Sequence, residues 1–352
     1  MALPYSLRTL YLHLHSQLNF DSQASEILLV FSYTTFGLLD KTTSKLHHTM
    51  SAELGARASW EAGLGGFARQ IFHSVPQIPK GVSLQGQTVI ITGSSTGLGL
   101  ESARQFLQQH ISTLILAVRS QAKGDAVAQK LRADFPKADI RVWLVDMESY
   151  KSVRDFAIRC ESLERLDIAI LNAGLGKTEF QRAEGGKGRE VTVQVNFLTT
   201  VLLAMLLLPL MAKKRTSFSG PGRLSIVGSD TAHIANLGDT SAGILNSFDR
   251  EEGYVGFQAY SNTKLLLLMF VAKLAEVVNP DVVVVNVVNP GAVSGTQLMR
   301  EAKGFSIIRF ILALNYAILG RNVSDGARQY LLATLVMGKE SHGSFVDFKI
   351  RP

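Results

Sequence analysis

Tyr260 and Lys264 lie four positions apart in Tyr-Ser-Asn-Thr-Lys, a spacing that puts both side chains on one face of a helix. A phenol with a pKa of about 10 is a poor base at neutral pH, and an adjacent ammonium stabilises its phenolate. Tuned in this way, the tyrosine could protonate a carbonyl oxygen or take a proton from an alcohol. The spacing alone is weak evidence. With eight tyrosines in the chain and lysine at roughly one position in twenty, chance supplies about 0.4 such pairs.

Two further side chains strengthen the pattern. Ser229 ends the apolar run 223–229 (RLSIVGS), so its hydroxyl would reach the edge of a sheet and polarise a substrate oxygen together with Tyr260. Asn196 interrupts an otherwise apolar helix. A buried amide needs partners, which here means either a water leading to Lys264 or the helix itself.

A glycine-rich turn precedes these groups. Thr92-Gly93-Ser94-Ser95-Thr96-Gly97-Leu98-Gly99 follows the β-branched run 88–92 (TVIIT) and opens a helix. Glycine keeps such a turn tight, lets the backbone approach a pyrophosphate and lets the helix pack near the strand. The free N–H groups at the helix start then face the phosphates. The spacing of Gly93, Gly97 and Gly99 differs from the generic dinucleotide fingerprint, and an ordinary strand–helix turn is the alternative.

At the end of the second strand, a carboxylate would bind both ribose hydroxyls, whereas an arginine accommodates a 2′-phosphate. The sequence has Ala117-Val118-Arg119-Ser120, with Lys123 nearby and no acid before Asp125. NADP(H) is therefore expected over NAD(H), with Arg119 on the phosphate. Asp146, after the third strand, could accept a hydrogen bond from the adenine amino group. Asn172-Ala173-Gly174, after the fourth, would let the backbone pass close to the adenine ribose. Turn chemistry alone also accounts for these residue types.

The elements that must position these groups alternate from residue 87 onward. Short apolar runs at 88–92, 113–118, 140–145, 166–171, 223–227 and 281–288 are separated by helical stretches at 97–110, 124–135, 152–163, 189–212 and 260–278. Strands so short and continuously apolar suit a parallel sheet covered on both faces. The expected fold is α/β, a Rossmann-type doubly wound parallel sheet in a single domain, with ligands at the carboxyl ends of its strands. Residues 81–352 are expected to form that catalytic domain. Residues 1–80 lack the alternation and are expected to be an N-terminal extension, helical in part after Met50.

Of the 352 residues, 46% are hydrophobic and 18% charged, which suits a filled core. The formal charge of +7 is dispersed, without an arginine-rich stripe and interleaved aromatics, so no nucleic-acid partner is expected. A single cysteine, Cys160, excludes an intramolecular disulfide and suits a reducing, cytoplasmic setting. The apolar stretch 197–212 is short for a bilayer span and contains Pro209, which favours a buried helix. The apolar segment 305–319, interrupted by Arg309, reads as part of a lid at 295–320 over an apolar small-molecule substrate, with peripheral membrane contact as the alternative. The apolar helices 189–212 and 260–278 would permit a homodimer.

In their order along the chain, Thr92–Gly99, Asn172-Ala173-Gly174, Asn196, Ser229, Tyr260 with Lys264, and Pro290-Gly291 resemble the short-chain dehydrogenase/reductase family over about residues 87–337. The resemblance implies a sheet of about seven strands and hydride transfer at C4 of a nicotinamide. It also implies a tetrad of Asn196, Ser229, Tyr260 and Lys264, with Pro290-Gly291 against the nicotinamide and Val293 on its carboxamide. Ala-Val-Arg at 117–119 and Arg-Leu-Asp-Ile-Ala-Ile-Leu-Asn-Ala-Gly at 165–174 are similar to the retinol-dehydrogenase-like branch, and within it to fungal members of secondary-metabolite pathways.

Two features depart from the family pattern. Ser229 precedes Tyr260 by 31 positions, more than the usual gap, so 231–258 is expected to be a loop over the substrate mouth. Gly295 stands where the family has a threonine, leaving either Ser294 or Thr296 as the hydroxyl for the cofactor phosphate. A catalytically silent binding or regulatory protein on the same fold is the first alternative. Sugar-nucleotide epimerisation by the same Tyr/Lys pair is the second, and the glycine spacing argues against it.

Overall fold

A computed structural model describes residues 74–214, 220–241, 243–293 and 321–351. Six strands form its centre: β1 (Thr88–Thr92), β2 (Thr113–Val118), β3 (Asp139–Leu144), β4 (Ile168–Leu171), β5 (Gly222–Val227) and β6 (Val283–Val288). They pair in parallel in the order β3-β2-β1-β4-β5-β6. Two short strands complete the edge, β7 (Phe345–Val346) parallel to β6 and β8 (Ile350–Arg351) antiparallel to β7. Among the described residues the sheet has eight strands, one more than the approximate seven expected. The additional strand is a two-residue return, too short to leave a periodic signal in sequence.

Burial explains why the strand sequences look as they do. β1, β4 and β6 are buried at every position, as strands covered on both faces must be. The edge strand β3 instead leaves Arg141 and Leu144 exposed. Successive residues point to opposite faces. Ile90 enters one core with Leu171, Ile226 and Val285, while Val89 and Ile91 enter the other with Leu114 and Leu116.

The seven helices used below are α1 (Gly97–Gln108), α2 (Gln121–Asp134), α3 (Tyr150–Cys160), α4 (Thr199–Lys214), α5 (Ile244–Phe248), α6 (Gly256–Ala275) and α7 (Val323–Leu331). Residues of α3, α4 and α6 fill the first core, and residues of α1, α2 and α7 fill the second. The strand order reverses between β1 and β4, which opens a crevice at their carboxyl ends.

Expected as one helix, 189–212 is broken. A turn at Val191–Val193 passes into a π-helical turn at Gln194–Leu198 before α4 begins. Thr199 and Thr200 donate their hydroxyls to the carbonyls of Gln194 and Val195, supplying side-chain partners where the α-ladder is interrupted. The run 191–214 is long and apolar enough to cross a membrane, yet most of it is buried inside the fold. Residues 74–80, assigned to the extension by sequence, already touch the body through Val75 and Ile78. The rest of that extension, the expected lid at 295–320, Ser294 and Thr296 lie outside the described residues.

Candidate active site

The glycine turn sits at the reversal of strand order. Gly93 (φ +67°) and Gly97 (φ +57°) occupy the left-handed region that only glycine enters cheaply. Asn172, at the end of β4, donates from Nδ2 to the Thr92 carbonyl at 2.9 Å, and the Ala173 N–H donates to Thr92 Oγ1 at 2.9 Å. Gly99 is required for a different reason. A Cβ there would lie 2.5 Å from the Gly93 carbonyl oxygen and 2.6 Å from Asn172 Nδ2. Gly99→Ala is expected to destabilise the protein by about 1–3 kcal/mol, read as a lower Tm; an unchanged Tm would show that the loop can shift freely.

The turn fits a phosphate group. Thr96 makes no side-chain cap on α1, whereas Ser120, Ser149 and Asn322 cap α2, α3 and α7. The first N–H groups of α1 are thus left for another acceptor. Among the described residues, Ser94 Oγ is fully buried with no hydrogen-bond partner, and a Cβ on Gly97 would meet nothing within 4 Å. Ser95 is half-buried and Thr96 exposed at the same rim. Leu98 packs beside Gly326 of α7, which also meets Val293 and the Pro290 carbonyl.

The other expected cofactor contacts lie along the same edge. Arg119 is exposed at the end of β2, with Nη1 3.1 Å from Glu148 Oε1. Asp146 is half-buried and its Oδ1 accepts the Glu148 N–H at 3.0 Å, so the turn role of this residue is present. Gly174 stands between two members of the expected tetrad. Its Cβ position is 3.2 Å from Asn196 Oδ1 and 3.8 Å from Lys264 Nζ. Pro290 is buried, and Gly291 donates to Asn289 Oδ1 at 3.0 Å.

The four expected reactive residues come from two elements, the π-helical turn and α6, and from the turn after β5. Lys264 is buried in α6 and its Nζ donates to the Val227 carbonyl at 2.8 Å, two residues before Ser229. The same Nζ lies 5.4 Å from the centre of the Tyr260 ring. Burial lowers the Lys264 pKa to about 8. Ser229 follows β5 and its Oγ accepts from Thr231 Oγ1 at 3.1 Å. Asn196 sits in the π-helical turn, a device that aims side chains out of α-register and is frequent at functional sites. Its amide is shared between the Leu175 backbone, accepting from N–H and donating to C=O at 2.8 Å each, and Thr263 Oγ1 at 3.3 Å. The direct partners are therefore backbone and Thr263, and they place Asn196 against α6 at the turn carrying Lys264.

The stretch 231–258 is more ordered than a plain loop. It holds a 3-10 turn (Asp230–Ile234) and α5, and it is tied to the segment after β4. Asp249 accepts from Arg189 Nη1 at 2.7 Å and from the Glu190 N–H at 2.9 Å, while Tyr254 donates to Glu190 Oε1 at 2.9 Å. Burial pushes the Glu190 carboxyl above the usual carboxylate range, opposed by the N–H groups of Thr192 and Val193. Asn262, two residues after Tyr260, pairs with both backbone groups of Asn236 at 2.9 and 2.8 Å. The insert is thereby fixed beside Tyr260.

The short chain dehydrogenase family matches residues 87–238. A short chain dehydrogenase of Hypocrea virens, virL, is 48% identical over 86% of this chain and 88% of its own length. Another from Penicillium oxalicum, opdN, is 45% identical over 85% of this chain and 98% of its own. This chain belongs to the short chain dehydrogenase family. A solved short-chain dehydrogenase from Sphingobium yanoikuyae, in complex with NADPH, shares the fold at 23% identity. Its TM-score is 0.52 over 70% of this chain and 83% of that one.

In this short chain dehydrogenase the family match ends before Tyr260, so the placement of Tyr260 and Lys264 stands on geometry. Three polar residues of the site had no sequence motif to reveal them. Asp230, next to Ser229, accepts from Asn289 Nδ2 at 2.8 Å and pairs with the buried Arg351 of β8. Glu148 engages Arg119. Tyr330 of α7 donates to Asn172 Oδ1 at 2.9 Å. Each depends on chain segments far apart in sequence, and only a buried polar side chain without a local partner could have hinted at them.

Proposed function

We propose that this oxidoreductase uses NADP(H) to interconvert a carbonyl and an alcohol on an apolar small molecule, in the manner of fungal secondary-metabolite biosynthesis and in a cytoplasmic setting. The observation that carries the reading is the buried Lys264 ammonium, fixed by the Val227 carbonyl and set beside Tyr260 at the strand edge that holds the glycine turn. When bound, the dinucleotide would supply or accept a hydride at nicotinamide C4. Tyr260 then gives its hydroxyl proton to the substrate oxygen, or takes one in the reverse direction. Lys264 favours the ionised phenol by its charge and is placed to hold the nicotinamide ribose. Ser229 donates a second hydrogen bond to the substrate oxygen. Asn196 braces Leu175 and Thr263 around Lys264. Gly93, Ser95, Thr96, Gly97, Leu98 and Gly99 would take the pyrophosphate, and Asp146, Asn172, Ala173 and Gly174 the adenosine half. Pro290, Gly291 and Val293 would line the nicotinamide, with Ser294 or Thr296 on a phosphate. The kinship to the retinol-dehydrogenase-like branch belongs to the same proposal and rests on residues 117–119 and 165–174.

Consumption of NADPH in the presence of apolar ketones and aldehydes, and of NADP with the corresponding alcohols, tests the reading directly. No turnover across such a panel, with cofactor bound, would favour the silent binding protein. Cofactor choice is tested by Arg119→Ala. Loss of a charge-assisted contact to the 2′-phosphate is expected to raise the NADPH Kd about tenfold or more. The NADH Kd should stay unchanged, and both are measurable by fluorescence titration. Equal weakening of both cofactors would remove Arg119 from the phosphate.

A further inference from the structure

Tyr330 is among the largest side chains that are fully buried. A phenol in that position needs a partner inside the protein, and its hydroxyl donates to Asn172 Oδ1 at 2.9 Å. The other end of the Asn172 amide is already committed. Nδ2 donates to the Thr92 carbonyl at 2.9 Å and lies 3.4 Å from that of Gly93. The carboxamide is thus oriented from both ends, with nitrogen on the glycine turn and oxygen on α7. A flipped amide would set its oxygen against the Thr92 carbonyl and offer an N–H pair to a hydroxyl. The surroundings are also tight: the Cβ positions of Gly93 and Gly99 are 3.1 and 2.6 Å from Asn172 Nδ2.

We propose that Tyr330 is a positioning residue for the dinucleotide, locking the Asn172 carboxamide that holds the Thr92–Gly93 turn in its phosphate-receiving shape. The inference rests on the cofactor reading above. Two observations support it beyond the contact. The helix carrying Tyr330 grips the same region at other points, through Gly326 against Leu98 and through Ser324, whose carbonyl accepts from Gln105 Nε2 at 2.9 Å. Burial also holds the Tyr330 hydroxyl well above its ordinary pKa, and negative charge on Tyr260 raises it further. Tyr330 therefore keeps its proton, and its bond to Asn172, while Tyr260 passes through both protonation states.

Tyr330→Phe removes the hydroxyl and leaves the ring in place. The test uses the full chain with three readouts: NADPH affinity, amide hydrogen exchange of residues 92–99 in the unliganded protein, and steady-state kinetics at saturating NADPH. The NADPH Kd is expected to rise about tenfold, exchange at 92–99 to quicken, and kcat and the carbonyl KM to stay within about twofold. A lower Tm with unchanged Kd and exchange would make Tyr330 a packing residue only and overturn the proposal. So would a fall in kcat at saturating NADPH, which would assign the hydroxyl to the chemistry at Tyr260 instead. In an Asn172→Ala background, Tyr330→Phe should have no further effect on Kd; full additivity would break the proposed link. A wild-type protein that bound no dinucleotide would sink the cofactor reading, and the exchange rates would then decide the Tyr330 contact by themselves.

Discussion

Tyr260→Phe is expected to lower turnover by about a thousandfold or more while leaving the NADPH Kd within about twofold. The substitution deletes one oxygen from a half-buried side chain and spares the ring. What is lost is the only group proposed to move a proton to or from the substrate oxygen. Ser229 remains and can still polarise that oxygen, but a serine hydroxyl is a much weaker acid than a phenol set beside an ammonium. The reaction then has to draw its proton from water. Cofactor titration, Tm and single-turnover oxidation of NADPH separate chemistry from binding and folding. Turnover at the wild-type rate would refute the proton-transfer role. An enzyme inactive before mutation would instead support the silent-protein alternative.

Lys264→Met should combine loss of activity with a gain in stability. Among the described residues Lys264 has no carboxylate partner: its Nζ meets the Val227 carbonyl and the face of Tyr260, and burial alone shifts its pKa from 10.5 to about 8. A buried ammonium without a counter-ion costs stability, here on the order of 3 kcal/mol at neutral pH by the equivalence of about 1.4 kcal/mol per pKa unit. The direction with pH follows from proton counts. The unfolded chain holds more protons than the folded one between about pH 8 and 10.5, so wild-type stability rises with pH across that window. Methionine has no such dependence. The variant's higher Tm should be largest below pH 8 and shrink toward pH 10.5, while turnover falls by about a hundredfold or more. Thermal melts at pH 7 and pH 10 check this. A lower Tm at pH 7 would mean that the bond to Val227 outweighs the buried charge, and full activity would remove Lys264 from the tuning of Tyr260.

Trading stability for a reactive group is common at functional sites, and the chain around Lys264 is tied down at several points. Asn196 is drawn into position by a π-helical turn, and Gly174 leaves room for both Asn196 and Lys264. Asp230 ties the turn after Ser229 to Asn289 and Arg351. The insert before α6 is anchored through Asp249, Glu190 and Tyr254.

Much of this fold is legible in the amino-acid sequence, for local reasons. Continuous β-branched runs announce buried parallel strands because their neighbours cover both faces. The apolar runs match all six long strands to within two residues at either end, and the Gly93–Gly99 turn and the Tyr260–Lys264 helix are readable from spacing. The π-helical turn is not, since Asn196 stands out in Gln194–Leu198 as a polar residue but nothing in that run marks an inserted position. Nor is β8, two residues long. The engagement of Arg119 by Glu148, of Asp230 by Arg351 and of Asn172 by Tyr330 joins residues 29, 121 and 158 positions apart. Sequence determined that Tyr260 and Lys264 share a helix face, because four residues make about one turn whatever surrounds them. Only the tertiary structure decided that Lys264 would be buried against the Val227 carbonyl, with no counter-ion among the described residues, and that the glycine turn would be tied through Asn172 to Tyr330. Burial and long-range hydrogen bonds belong to the packed chain and not to any segment of it.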